Sequence, residues 1–175
     1  MANNVFLFYG NDEYLVGLNA RKKVDEICPA AEQSLSLEII LGDAGKIDEA
    51  ASAIDQCLAA FRTVGLFGGK KVVWFRDVTF LSNAVIMKNE RVKRLLGELT
   101  KDLKAGLSPD QFLVISAPDV DKRTAFFKAL NEVCEPVEYA VPERDYEARP
   151  VALQRATTLF KREGYSIDSA ALDAF

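Results

Sequence analysis

Five short runs of β-branched and aromatic residues recur along the chain: VFLFY (5–9), SLEIIL (36–41), KVVWF (71–75), QFLVIS (111–116) and VEYAV (137–141). Segments of helical period separate them, and this alternation is what most constrains the fold. Strands that read as nearly continuous apolar runs are buried on both faces, and strand-helix-strand repeats close onto a parallel sheet through right-handed crossovers. The pattern predicts an α/β domain over about residues 1–142, five-stranded, parallel and doubly wound.

The intervening stripes are regular. Val16, Ala20, Val24 and Ile27 share one helix face; Ile47, Ala50, Ala51, Ile54, Leu58 and Phe61 share a second; Val92, Leu95, Leu96, Leu99 and Leu103 share a third. A shorter helix fits Phe126, Phe127, Leu130 and Val133, with Asp121 as its N-cap. Beyond PERD (142–145) the pattern weakens. Pro150 suits a helix start, Leu153, Thr157 and Phe160 form a looser stripe, and Gly164 suits a C-cap. Ser166 is placed to cap a second helix in IDSAALDAF, which reaches Phe175 without a stop signal. Residues 143–175 therefore read as the truncated start of a small helical domain, and the chain as the amino-terminal part of something longer.

At 175 residues and 49% hydrophobic content there is enough apolar surface for one good core. The longest apolar runs fall far short of the ~18 residues of a membrane span, and MANNVFLFYGNDEYL has no basic leader, so a cytoplasmic protein is expected. The count of histidines is 0, which removes the usual general base, the usual zinc ligand and every Ser-His or Cys-His nucleophilic pair. Cys28, Cys57 and Cys134 are far apart with no C-x-x-C spacing, and read as reduced structural thiols. A net charge of -4 leaves no global electrostatic footprint for nucleic acid.

In open α/β sheets ligands bind beyond the carboxyl ends of the strands. The loop after strand one, GNDEY (10–14), lacks the G-x-x-x-x-G-K-[ST] pattern of a phosphate loop, and Asp12 and Glu13 would repel a phosphate from the helix terminus. VVWFRD (72–77) ends in an aspartate of the kind that holds Mg²⁺ in nucleotide sites, but without the phosphate loop it is ordinary turn chemistry. An alternative reading is a receiver-like or small-molecule-binding domain, with Asp12, Glu13, Asp77 and Ser116 forming an acidic Mg²⁺ pocket. VEYAVPERD supplies no lysine where a receiver would need one. The basic clusters at Lys70-Lys71, Lys88–Arg94 and Lys122-Arg123 lie among acids or on polar helix faces, and read as solvated surface.

TVGLFGG (63–69) presents Leu66 and Phe67 between glycines, just ahead of the third strand. Spacing alone leaves two readings open: the pair folds back on the core, or it is displayed as an apolar anchor for a partner.

Taken together, FLFYGNDEYLV (6–16), LFGGKKVVWFRDVTFL (66–81), APDVDKRTAFFKAL (117–130) and the GYSID element (164–168) resemble the delta subunit of the bacterial DNA polymerase III clamp loader along the whole chain. The resemblance implies a nucleotide-free member of the AAA+ superfamily, with a RecA-like amino-terminal domain, a helical lid and a carboxyl-terminal collar. It implies DNA replication as the process, the beta sliding clamp as partner and ring opening as the function. Leu66 and Phe67 would be the clamp-binding pair, with Val64 flanking them. The polar residue that often opens a clamp-binding motif has no counterpart in AFRTVGLF (60–67). Other partners would be the gamma/tau and delta prime subunits, met mainly through the collar, with DNA contacted indirectly or weakly. No catalytic residue, cofactor or metal is implied; the chain would serve the DNA polymerase III holoenzyme, a nucleotidyltransferase, without an activity of its own. A third reading is an adaptor using the same turn for a different protein.

Overall fold

The computed structural model describes residues 4–63, 69–142, 145–162, 164–166, 168 and 171. Strands β1 (Val5–Tyr9), β2 (Leu37–Leu41), β3 (Lys71–Arg76), β4 (Gln111–Ala117) and β5 (Val137–Glu138) form one sheet in the order β2-β3-β4-β1-β5. Every pairing is parallel, as the apolar runs predict. The helices are α1 (Glu13–Ile27), α2 (Gln33–Ser36), α3 (Ile47–Arg62), α4 (Ala84–Lys88), α5 (Glu90–Ala105), α6 (Ala125–Val133) and α7 (Asp145–Arg162). The chain divides into two compact units, residues 1–139 and 140–175.

Strand order explains which face each helix covers. The crossover from β1 to β2 runs one way across the sheet, and those from β2 through β3 and β4 to β5 run back. Right-handed crossovers in opposite directions lie on opposite faces. Accordingly Phe8, Val72, Trp74 and Val114 pack against Val16, Ala20, Val24 and Ile27 of α1. On the other face Leu7, Val73, Phe75 and Ile115 meet Ile54, Leu58 and Phe61 of α3, Leu95 and Leu99 of α5, and Phe126 and Leu130 of α6. Adjacent residues of β3 thus serve different cores, and Val72, Val73, Trp74 and Phe75 are all buried. The edge strand departs from the expectation of two covered faces. Ile39 and Leu41, on the α1 side of β2, are 41% and 62% exposed because that layer reaches only as far as Leu37.

Local chemistry sets the ends of the elements. Glu49 accepts from the N–H groups of Gly45 and Lys46 and closes the start of α3. Asn83 and Asn89 each accept two backbone N–H groups and open α4 and α5 back to back. α6 starts later than predicted: Thr124 Oγ1 accepts from Phe127 N–H and is the N-cap. Asp121 is otherwise engaged, since its carboxylate takes both the guanidinium and the backbone N–H of Arg123. β5 is shorter than the VEYAV run because the chain leaves the ladder after Tyr139 N–H bonds to Tyr9 O.

The Arg123 guanidinium holds the Asp121 carboxyl at about 2, below the usual ~3.9 of aspartate. A depressed folded-state value stabilises the fold above the unfolded value and is lost as pH falls from about 4 toward 2. Thermal melts should therefore find wild type ahead of Arg123→Gln near pH 7, with the gap closing near pH 2. Arg123 faces solvent, which screens the pair, so the gap is small.

In the second unit Pro150 stands inside α7 rather than at its start, removing one i to i−4 donor. The predicted stop is present: Gly164 has φ 82, its N–H bonds Lys161 O, and Tyr165 N–H bonds Phe160 O, a Schellman ending. Beyond it Asp168 Oδ1 accepts from Ala171 N–H; the residues that Ser166 would cap lie largely outside the described residues. Among the described residues no helix is long and apolar enough to cross a membrane.

Candidate functional site

The turn after β1 lies where a phosphate loop would cradle a nucleotide, and here two of its amides are bonded within the protein itself. Gly10 N–H bonds Ala117 O at 3.2 Å, and Asp12 N–H bonds Tyr139 O at 3.1 Å. Asp12 Oδ1 accepts from Leu15 N–H at 3.0 Å, so the side chain faces inward as the N-cap of α1. Gly10 adopts φ 135, and a Cβ there would stand 2.0 Å from Tyr139 O. The carbonyl leaving β5 therefore closes over the turn.

Of the residues of the receiver-like alternative, only Glu13 and Asp77 present themselves to a common cavity. Glu13 and Asp77 line one cavity of about 250 Å³, together with Asp43 and Thr79. Asp12 is committed to its cap, and Ser116 is fully buried, accepting from Trp74 Nε1 and from Asp77 N–H, each at 3.2 Å. Asp77, at φ 54, takes the Arg76 guanidinium at 2.9 Å. No group of three or more His, Cys, Asp or Glu among the described residues could hold a metal ion. Thr79 and Asp43 were not legible as neighbours of this cavity; they are joined by a hydrogen bond across 36 positions. Ser116→Ala should cost about 1–3 kcal/mol in urea unfolding, since it strands two donors at once.

The three cysteines are free and buried. Burial pushes the Cys57 thiol up to about 12 and the Cys134 thiol to about 11, consistent with structural roles. The basic clusters find carboxylates: Lys71 pairs with Glu38, Arg91 with Asp48 and Asp55, Arg94 with Glu98, and Lys122 with Glu138.

Val64, Leu66 and Phe67 lie outside the described residues. What the structure places is the framework on either side. α3 ends with Thr63 as C-cap, its hydroxyl bonding Ala59 O. Arg62 ties that end to Asp102 and Glu98 of α5 at 2.8 and 3.4 Å, and Gln111 Nε2 bonds Phe61 O. β3 begins with Lys71 N–H on Asp110 O, while Lys70 Nζ reaches Ile27 O. The end of α3 and the start of β3 are thus each tied to other elements of the domain.

Fold and turn together define a five-stranded parallel α/β domain whose turn after β1 is closed by the Tyr139 carbonyl. The family model for DNA polymerase III, delta subunit, matches residues 6–139, and the chain belongs to that family. Among solved structures, the Bacillus subtilis DNA clamp loader delta protein (YqeN) is similar at 17% identity with a TM-score of 0.62. That match covers 98% of this chain and 47% of the other. A chain in the Escherichia coli MS115-1 HORMA:CdnC:Trip13 complex is similar at 12% identity and TM-score 0.50, covering 98% of this chain and 58% of that one. The chain spans about half the length of these structures. Among curated proteins none matches the sequence.

Proposed function

We propose that the chain is the amino-terminal part of a clamp-loader delta subunit that binds the beta sliding clamp through Leu66 and Phe67, flanked by Val64, and opens the ring for loading onto DNA. The observation that carries this reading is the family match over residues 6–139 on a domain whose β1 turn is sealed by Tyr139. A nucleotide-free AAA+ module fits both features. Residues 1–142 then form the clamp-binding domain, and residues 143–175 begin the helical lid. The gamma/tau and delta prime subunits meet the protein chiefly through domains beyond this chain, and supply the ATP hydrolysis. DNA is approached indirectly, and the setting is the replication machinery of the cytoplasm.

The mechanism is differential binding. An apolar pair inserted in a pocket is a hot spot, and the rest of the surface sets orientation. A ligand opens a ring only by as much as its affinity for the open form exceeds that for the closed one. Calorimetric titration against the cognate clamp, intact and with one ring interface disabled by mutation, tests this. Tighter binding to the disabled ring is expected; equal affinities would contradict ring opening, and no binding to either would sink the assignment.

A further inference from the structure

The two edges of the sheet are built differently. β5 is 2 residues long and carries Glu138 in a pair with Lys122. β2 keeps unbroken register with β3 over its 5 residues, from Leu37 on Val72 to Leu41 on Arg76. Sheet edges that must stay single are blunted by lysine, proline, a bulge or brevity. LEIIL (37–41) has no lysine, proline or bulge, and its one charge, Glu38, is held by Lys71 at 2.6 Å.

Backbone direction shows which groups this edge offers. Gly42 N–H bonds Arg76 O, so Gly42 turns its backbone toward β3, and alternation turns Ile40 and Glu38 the same way. Leu37, Ile39 and Leu41 therefore direct their N–H and C=O groups outward. The end of α2 agrees, because Leu37 N–H turns from the sheet to bond Gln33 O. The same residues carry their side chains on the α1 face, where Ile39 and Leu41 are exposed. Outward main-chain groups and exposed apolar side chains thus belong to one set of residues, the combination that an added strand engages.

A second copy of β2 matches this set. In an antiparallel pairing about a two-fold axis at Ile39, Ile39 meets its mate, and Leu37 meets Leu41 on either side of the axis. Each Ile39 exchanges backbone bonds with its mate, and each Leu41 N–H reaches a Leu37 carbonyl; Leu37 N–H is already spent on Gln33. Glu38 falls opposite Ile40, so the two carboxylates do not face each other. Slipping the register by two residues in one direction sets Glu38 against Glu38, and in the other it sets Leu37 against Asp43. The charge pattern therefore favours the register in which the apolar residues match.

We propose that two copies of this chain associate through β2, by antiparallel pairing centred on Ile39. The contact is small, so the dimer is weak and reversible. The proposal uses none of the residues assigned to the clamp and stands or falls separately from that reading.

Sedimentation equilibrium of the 175-residue chain should show a monomer–dimer equilibrium with a dissociation constant between roughly 10 μM and 1 mM. Ile39→Lys sets like charges across the axis and should weaken the dimer by about tenfold or more. It should lower the melting temperature of dilute protein by less than about 2 °C, because Ile39 is 41% exposed. Ile39→Cys reads the geometry. Hydrogen-bonded antiparallel partners have Cα atoms about 5.5 Å apart, within the ~4.4–6.8 Å span of a disulfide, so mild oxidation should link Ile39→Cys to its mate. Glu38→Cys, on the other face and out of register with its mate, should not link, and the native thiols are buried. A chain that stays monomeric at about 1 mM would overturn the proposal and leave the edge to a strand of another protein. A dimer that tolerates Ile39→Lys, or that links Glu38→Cys as readily as Ile39→Cys, would overturn it too.

Discussion

Gly10→Ala is expected to destabilise the domain by at least about 3 kcal/mol, measured as a fall in the urea midpoint at unchanged m-value. Two independent costs add. A φ of 135 is strained for any residue with a Cβ, at about 1–3 kcal/mol. The new Cβ would also lie 2.0 Å from Tyr139 O and 2.7 Å from its carbonyl carbon, and these are backbone atoms that cannot rotate away. Relief requires the end of β5 to withdraw, which breaks Asp12 N–H to Tyr139 O and Tyr139 N–H to Tyr9 O. Each such bond contributes about 0.5–1.5 kcal/mol net. Gly17→Ala is the matching control, since a Cβ there meets nothing within 4 Å and helix propensity favours alanine by up to about 1 kcal/mol. A Gly10→Ala loss below about 1 kcal/mol would mean that Tyr139 does not seal the turn.

The same residues show where reading the sequence stops. GNDEY was legible as a turn that cannot hold phosphate, from its acids and missing lysine. That Tyr139 O occupies the place instead was not, because the bond spans the domain and depends on β5 pairing beside β1. Likewise Asp12 in sequence could be a ligand or a cap, and only its bond to Leu15 N–H decides. β3 and the α3 and α5 stripes were readable because burial on one or both faces imposes a strict period. α4 and the 3-10 turn at Thr79–Ser82 were not, being too short for a period and held by Asn83 and by Thr79's bonds to Asp43 and Ala44. The late start of α6 turned on whether Asp121 or Thr124 was free to cap, and Arg123 settled it. The candidate clamp residues Val64, Leu66 and Phe67 lie outside the described residues, and what the structure adds is the anchoring of the flanking residues through Arg62, Gln111 and Lys70.

Removing Leu66 and Phe67 together should have the largest effect on binding. Truncated interface anchors typically cost 2 kcal/mol or more each, so the double alanine variant should bind the clamp about 100-fold more weakly or worse. Stability should hold, because the flanking ends are fixed by groups outside the pair: Arg62 on Asp102 and Glu98, and Lys71 in the β3–β4 ladder. A displayed pair contributes little to the core, whereas core truncations of this size cost about 2–5 kcal/mol apiece. The decisive measurement is titration of the cognate beta clamp with wild type and with Leu66→Ala/Phe67→Ala, alongside urea unfolding of both. The account predicts clamp affinity reduced by about two orders of magnitude with stability changed by less than ~0.5 kcal/mol. Unchanged affinity, or a stability loss on the scale of core truncation, would contradict it.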